Sequence, residues 1–233
     1  MTPWNALIPI AAAAGLGSWG AFYPKARLFG PAIVGAGKAC ALTFDDGPNP
    51  AITPKLLALL DRHQVRATFF LLGKYVERNP GLAADIQAAN HAIGNHTHNH
   101  PNTIFFSRQE ILDELRRCDD AISRATGRGS VCVRPPFGFR GPQFFSAARE
   151  AGLSKVVMWS VSARDWTPQP WERVSRRLRR AGRGDILLLH DGDHRASNAD
   201  RSHTLKALEF WLPRWKESGL EFTTGWANSD MLE

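Results

Sequence analysis

Cysteine is scarce in this chain. Cys40, Cys118 and Cys132 are three among 233 residues, too few for a disulfide scaffold, and none forms a C-x-x-C pair. They read as buried thiols; one bridge between two of them would leave a thiol over, so the redox compartment stays open. No segment repeats at a solenoid period, and no low-complexity linker divides the chain. No interleaving of aromatic and basic residues marks a nucleic-acid surface, so no nucleic-acid partner is expected.

Charge is also missing where it would be informative. From Met1 to Pro24 no side chain is charged. The apolar run "ALIPIAAAAGLGSWGAF" is nearly long enough to span a bilayer, but it is rich in Ala and Gly and is broken by Pro9. It lacks the basic region that opens a secretory signal. Lys25 and Arg27 follow it, and the positive-inside rule would then keep the main domain cytoplasmic. A membrane anchor or uncleaved signal and a packed or mobile N-terminal helix fit equally, with membrane association through residues 4–22.

What is present is an ordinary globular composition, 43% hydrophobic, long enough to bury a core. The net charge is +7, and the run "RVSRRLRRAGR" (173–183) alone holds six arginines, so the basic character is mostly local. Val174, Leu178 and Ala181 recur at helical spacing inside it, which predicts a helix with one buried stripe and a solvated arginine face.

Short β-like runs alternate with helical patterns. Strands are expected at 39–44, 66–72, 92–95, 131–134, 155–161, 185–190 and 221–224. Ser107 and Glu110 form a capping box, followed by the stripe Ile111, Leu115, Cys118 and Ile122. Leu205, Leu208, Leu212 and Trp215 form another stripe. Seven strands alternating with helices imply a parallel α/β fold, either a barrel or an open doubly wound sheet. In both, chemistry gathers at the C-terminal strand ends. There stand "DDGP", "HTHNH", "RPPFG", "SARDW" and "HDGDH".

"GNHTHNHPN" (94–102) places histidines at 96, 98 and 100. On an extended strand all three would share a face; on a helical turn His96 and His100 would share one and His98 would oppose them. A helical turn after a strand end, closed by Pro101, favours His96 and His100 as metal ligands, with His98 as a packing or hydrogen-bonding residue. A catalytic zinc takes three protein ligands, so a carboxylate from another strand end is needed. Asp45 and Asp46 are adjacent, and their side chains leave the chain in different directions. One can bind a metal while the other serves as base. Alone, Asp-Asp-Gly-Pro would read as a turn.

Together these residues resemble the polysaccharide deacetylases of the NodB-homology type, carbohydrate esterase family four. "TFDDGP" (43–48), "HTHNH" (96–100), "RPPFG" (134–138), "SARDW" (162–166) and "LLH" (188–190) are similar to that family's five motifs in order. The resemblance covers residues 38–226 and implies a distorted (β/α)7 TIM-like barrel, with residues 1–37 as an N-terminal hydrophobic segment and linker and 38–233 as the deacetylase domain. It implies that Asp46, His96 and His100 hold one divalent metal, usually zinc, with cobalt, iron or nickel as alternatives. It implies Asp45 as base, Arg134 as the residue that holds Asp45, His190 as the acid for the leaving amine, and Asp165 as the residue that tunes Arg134 or His190. The Phe137 N–H would face the oxyanion, and Trp166 and Leu188 would line the acetyl pocket. The implied reaction is removal of N-acetyl groups from N-acetylglucosamine-containing glycan, peptidoglycan or chitin-like, at the cell envelope or an extracytoplasmic membrane face. The alternatives are a lipid-linked sugar or O-acetyl glycan as substrate, or a non-catalytic carbohydrate-binding relative. One position departs from the pattern: Ser162 stands where the fourth motif has its first aspartate. The loop "HDGDHR" (190–195) with "DRSH" (200–203) is expected to be a hydrogen-bonded loop shaping the substrate site rather than a second metal centre.

Overall fold

The computed structural model describes Gly17 and residues 19–226; the expectation for residues 4–22 therefore falls mostly outside the described residues. Five parallel strands, β1 (Ala41–Gly47), β2 (Thr68–Leu71), β3 (Ala92–Asn95), β4 (Val161–Ser162) and β5 (Ile186–His190), form one sheet in the order β3-β2-β1-β5-β4. Seven α-helices follow β1: α1 (Thr53–Arg62), α2 (Gly73–Arg78), α3 (Pro80–Ala88), α4 (Arg108–Thr126), α5 (Pro142–Glu150), α6 (Trp171–Leu178) and α7 (Ser202–Glu217).

Strand alternation separates the two faces. Leu42, Phe44, Phe69, Leu71, Leu187 and Leu189 face the helices and form the main core with them. The alternate residues Ala41, Phe70 and Ile186 pack with Cys132 and Val157 on the inner face. Thr43, Asp45, Leu188 and His190 belong by register to that inner face, at the C-terminal ends. The helical stripes behave as their periodicity requires. Ile111, Leu115, Cys118 and Ile122 are all buried on α4. Both bonds of its capping box are formed, Ser107 N–H to Glu110 and Glu110 N–H to Ser107, worth about 1 kcal/mol of helix stability. Val174 and Leu178 are buried on α6, which stops at Leu178, leaving Ala181 to pack from the following turn. On α7, Leu208, Leu212 and Trp215 are buried.

Two expected strands did not form as strands, and a third is short. Val133 makes single parallel bridges to Asn95 and Val156, Phe222 makes one to Cys40, and of 155–161 only its end enters the ladder, in β4. Pro135 and Pro136 supply no N–H to continue the fourth run. The carbonyls of Val157 and Met158 accept from the Arg134 guanidinium instead. The five-strand ladder is thus open. Isolated bridges carry it from β3 through Val133 to the segment that ends in β4 beside β5, which is the distortion of the barrel.

The residues before β1 pack on the same body. Ile33 bridges Val157, and the buried Arg140 side chain donates to the carbonyls of Tyr23, Pro24 and Ala26. The three cysteines are buried free thiols, and burial raises the pKa of each well above the ordinary thiol value. No helix among the described residues is long and apolar enough to cross a membrane.

Candidate active site

The two aspartates of β1 would point to opposite faces in a regular strand. They do not, because the pairing with β2 slips between Asp45 and Gly47, and Asp46 takes a left-handed φ of 70°. This bulge turns both carboxylates toward the same histidine. His96 Nε2 lies 3.7 Å from Asp45 Oδ2 and 3.6 Å from Asp46 Oδ1. His100 Nε2 lies 3.4 Å from Asp46 Oδ1.

The histidines converge by a turn that is not helical. Thr97 and His100 both have positive φ, at 69° and 64°. The Asn95 side chain accepts from Thr97 N–H, and Thr97 Oγ1 accepts from His100 N–H. Glu114 on α4 receives the N–H groups of His98 and Asn99. His98 points away from the cluster, where its Nε2 accepts from Arg117 at 3.1 Å. The structure thus brings His96 and His100 together and sets His98 apart, by a backbone turn other than the helical one expected.

Asp46, His96 and His100 present ligand atoms within 4.8 Å of one another, the only such group of three His, Cys, Asp or Glu residues among the described residues. Their chemistry fits a divalent metal. His96 Nδ1–H donates to the Arg134 carbonyl at 2.8 Å, which leaves the Nε2 lone pair facing inward. Asp46 Oδ1 is buried with no hydrogen-bond partner, a costly state for a carboxylate unless a cation meets it. Burial would raise the Asp46 pKa, but His194, His100, His96 and His190 together hold it well below the usual range. Burial, with the neighbouring histidines, pushes His100 far down toward its neutral, ligating form.

Arg134 is fully buried. It contacts Asp45 through one nitrogen, Nη1 to Oδ1 at 2.7 Å, rather than by a two-pronged grip. Its other bonds go to Thr43 Oγ1 and the Val157 and Met158 carbonyls, and it stacks 4.1 Å from the Phe70 ring centre. Asp165 sits at His190 and not at Arg134. Its Oδ1 accepts from His190 Nδ1 at 2.8 Å, and its Oδ2 from His190 N–H and Thr204 Oγ1. Burial opposes the His190 cation, but Asp165, followed by Asp46 and Asp45, raises its pKa to about 9.

A pocket of about 420 Å³ opens over these groups, walled by Leu188, Trp166, Phe137, Phe139, Trp159 and His194. Trp166 is half exposed at its edge and meets the His190 ring edge-on at 5.9 Å. Phe137 has φ 57°. The next two N–H groups, of Gly138 and Phe139, bond back to Pro135 and Pro136. Ser162 Oγ accepts from Arg164 N–H, outside the cluster.

Several site neighbours lie outside the five motifs. His194 stacks on His100 at 4.3 Å, with its Nδ1 3.8 Å from Asp46 Oδ2. Its loop is strapped down by Lys74 and Tyr75, which donate to the His194 and Asp193 carbonyls. The buried Arg201 bonds the Gly192 and Trp166 carbonyls and the Asp193 carboxylate. The Asp- and His-rich loop is thus a hydrogen-bonded wall of the pocket, as expected from its composition.

A cluster that fits a divalent metal, with a second carboxylate and an imidazole of raised pKa over one pocket, suits metal-assisted hydrolysis. The polysaccharide deacetylase family model matches residues 34–156, and the chain belongs to that family. It is 37% identical over 189 residues to a peptidoglycan-N-acetylglucosamine deacetylase of Bacillus cereus, covering 80% of this chain and 86% of that protein. It is 35% identical to the chitooligosaccharide deacetylase of Azorhizobium caulinodans, covering 76% of this chain and 88% of that one. Among solved structures it is similar to a family 4 carbohydrate esterase from Streptomyces lividans in complex with acetate, with TM-score 0.72, 29% identity, and coverage of 84% of this chain and 98% of that one. It is also similar to a family 4 pseudoenzyme from Bacillus anthracis, with TM-score 0.71, 30% identity, and coverage of 80% of this chain and 63% of that one.

Proposed function

We propose that this chain removes acetyl groups from the N-acetylglucosamine units of a glycan, peptidoglycan or chitin-like, using one divalent metal, zinc foremost, at the cell envelope. The observation that carries this reading is the buried, unpartnered Asp46 Oδ1 facing two histidine Nε2 atoms, with Asp45 on one side. A metal bound by Asp46, His96 and His100 would polarise the acetamide carbonyl and acidify a water. Asp45 takes a proton from the water that attacks the carbonyl carbon, and Arg134 holds Asp45 in place. The Phe137 N–H serves the carbonyl oxygen as charge develops on it. As the C–N bond breaks, His190 delivers its Nε2 proton to the departing nitrogen, and Asp165 holds the ring by Nδ1. Leu188 and Trp166 enclose the acetyl methyl. Water and amide thus become acetate and amine. Family membership alone does not carry catalysis, since a pseudoenzyme shares the fold; the intact base, ligands and acid support it here.

The test is acetate release across N- and O-acetylated glycans by metal-stripped protein, with each metal added back. Release from N-acetylglucosamine oligomers, restored best by zinc, is expected. Binding without turnover in metal-loaded protein would leave the non-catalytic reading standing instead.

A glycan held near a membrane is a second reading, with one observation in its favour. Trp19, Phe22, Tyr23 and Leu28 are each about half exposed, Lys25 and Arg27 lie among them, and Phe22 packs 4.7 Å from Phe139 of the pocket wall. Aromatic residues beside cations suit a lipid interface. Co-sedimentation with anionic vesicles, lost on Trp19→Ser with Phe22→Ser, is the measurement.

A further inference from the structure

The ends of β1 and β5 are tied together by a side chain that no step above uses. Asp191 follows His190 and is fully buried. Its Oδ2 accepts from the Thr53 hydroxyl at the start of α1, while its Oδ1 has no hydrogen-bond partner. Thr53 Oγ1 in turn accepts from Asn49 N–H at 2.8 Å. The hydroxyl accepts from Asn49 and directs its own proton to the Asp191 carboxylate, so one oxygen joins the two. The Asn49 side-chain amide closes the circuit by donating to the Asp191 carbonyl at 2.9 Å and to the Ala199 carbonyl at 2.9 Å.

Close backbone approach surrounds this circuit. A Cβ on Gly47 would stand 2.5 Å from Asp191 Oδ2 and 2.6 Å from Oδ1. A Cβ on Gly192 would stand 1.9 Å from the Asp46 carbonyl oxygen. Asp46 therefore lies between two contacts that only glycine allows. It does so at φ 70°, a conformation that a side-chain-bearing residue keeps only where its surroundings hold it.

We infer that Asp191 is a positioning residue for Asp46: through Thr53 and Asn49 it locks the 46–53 loop onto the end of β5 and keeps the Asp46 carboxylate aimed at His96 and His100. The inference rests on the metal reading proposed above. A carboxylate is a costly way to fill a buried space, and an apolar residue would serve if packing were its whole task.

The experiment titrates Zn2+ into the metal-stripped whole chain by calorimetry, and records the thermal midpoint of each metal-free variant alongside. Thr53→Val removes the hydroxyl at nearly constant volume, Asp191→Ala removes the acceptor, and Thr53→Ser keeps the hydroxyl. Zinc affinity is expected to fall on the order of 10–100-fold in the first two. The double variant should be weaker than either single one by no more than about 2-fold, because both changes cut the same tie. Thr53→Ser should bind nearly as the unaltered chain does. A lowered midpoint with unchanged zinc affinity in Thr53→Val would mean a purely packing role and overturn the inference. That variant carries the test even if Asp191→Ala does not fold. Failure of the unaltered chain to bind zinc overturns the metal reading and this inference with it; zinc binding that Thr53→Val leaves intact overturns this inference alone.

Discussion

Replacing Asp165 with asparagine should move the alkaline limit of activity by about two pH units, following general acid behaviour. Asp165 is the first of the groups that raise His190, against burial, from 6.5 to about 9. That shift is equivalent to about 3 kcal/mol in favour of the imidazolium. Asparagine keeps the shape and an acceptor for His190 Nδ1–H, but loses the charge and turns an amide N–H toward the His190 N–H that Oδ2 now receives. With the imidazole returned toward 6.5, its protonated fraction at pH 8 falls from roughly 90% to roughly 3%, about a 30-fold loss of acid. The sign follows from the pair. His190 is raised, so its contribution to stability is full below about pH 6.5 and fades as pH rises through about 9. Asp165 is lowered: burial opposes this, but the His190 charge, the His190 bonds and the Thr204 hydroxyl outweigh it. Its contribution is present above the ordinary carboxylate value and is lost as pH falls through the depressed one. The assays are acetate release against pH, and an NMR titration of the His190 ring in metal-stripped protein. An alkaline limb that stays in place in Asp165→Asn, or a His190 ring titrating near 6.5 in the unaltered protein, would refute the reasoning.

Asp45→Asn should cut acetate release on the order of 10²–10⁴-fold, as loss of a general base does, while zinc affinity measured by calorimetry changes little. His98→Ala should leave zinc affinity unchanged while removing a buried ring, costing about 0.5–3 kcal/mol in denaturant unfolding. Gly94→Ala would place a Cβ 2.4 Å from the Phe70 ring and 3.0 Å from Cys132 Sγ. Such overpacking costs about 1–3 kcal/mol. Because Phe70 lies under the Arg134 guanidinium, activity should fall further than stability alone explains, which parallel melting and rate measurements will read.

The parts of this molecule that were legible in advance are those with a local cause. The α4 stripe and its capping box need only 3.6-residue periodicity and two side chains three apart, and both formed. The strands at 92–95 and 185–190 came out within a residue of their predicted bounds, the second because its apolar run Ile186–Leu189 suits a buried parallel sheet. The run at 131–134 looked equally strand-like, yet its neighbours' carbonyls belong to Arg134, a bond made with chain more than twenty residues away. The helical turn expected at His96–His100 failed for a related reason. The His100 N–H, which a helical turn would send to the His96 carbonyl, goes to Thr97 Oγ1 instead, and Glu114, on a helix beyond Pro101, fixes the N–H groups of His98 and Asn99.

By itself the sequence determined a parallel α/β class of fold and the candidacy of His96 and His100, apart from His98, through residue type, spacing and order along the chain. The assignment of Asp46 as ligand, Asp45 as base and His190 as acid came instead from the resemblance of the ordered motifs to the deacetylase family. Only the tertiary structure decided how the groups meet. It showed the bulge that turns Asp45 and Asp46 to one face, Asp165 at His190 rather than at Arg134, His194 stacked on His100, and Asp191 tied to Thr53 beside Gly47. Each of these depends on hydrogen bonds and close backbone contacts between segments distant in sequence, and no local pattern encodes those distances.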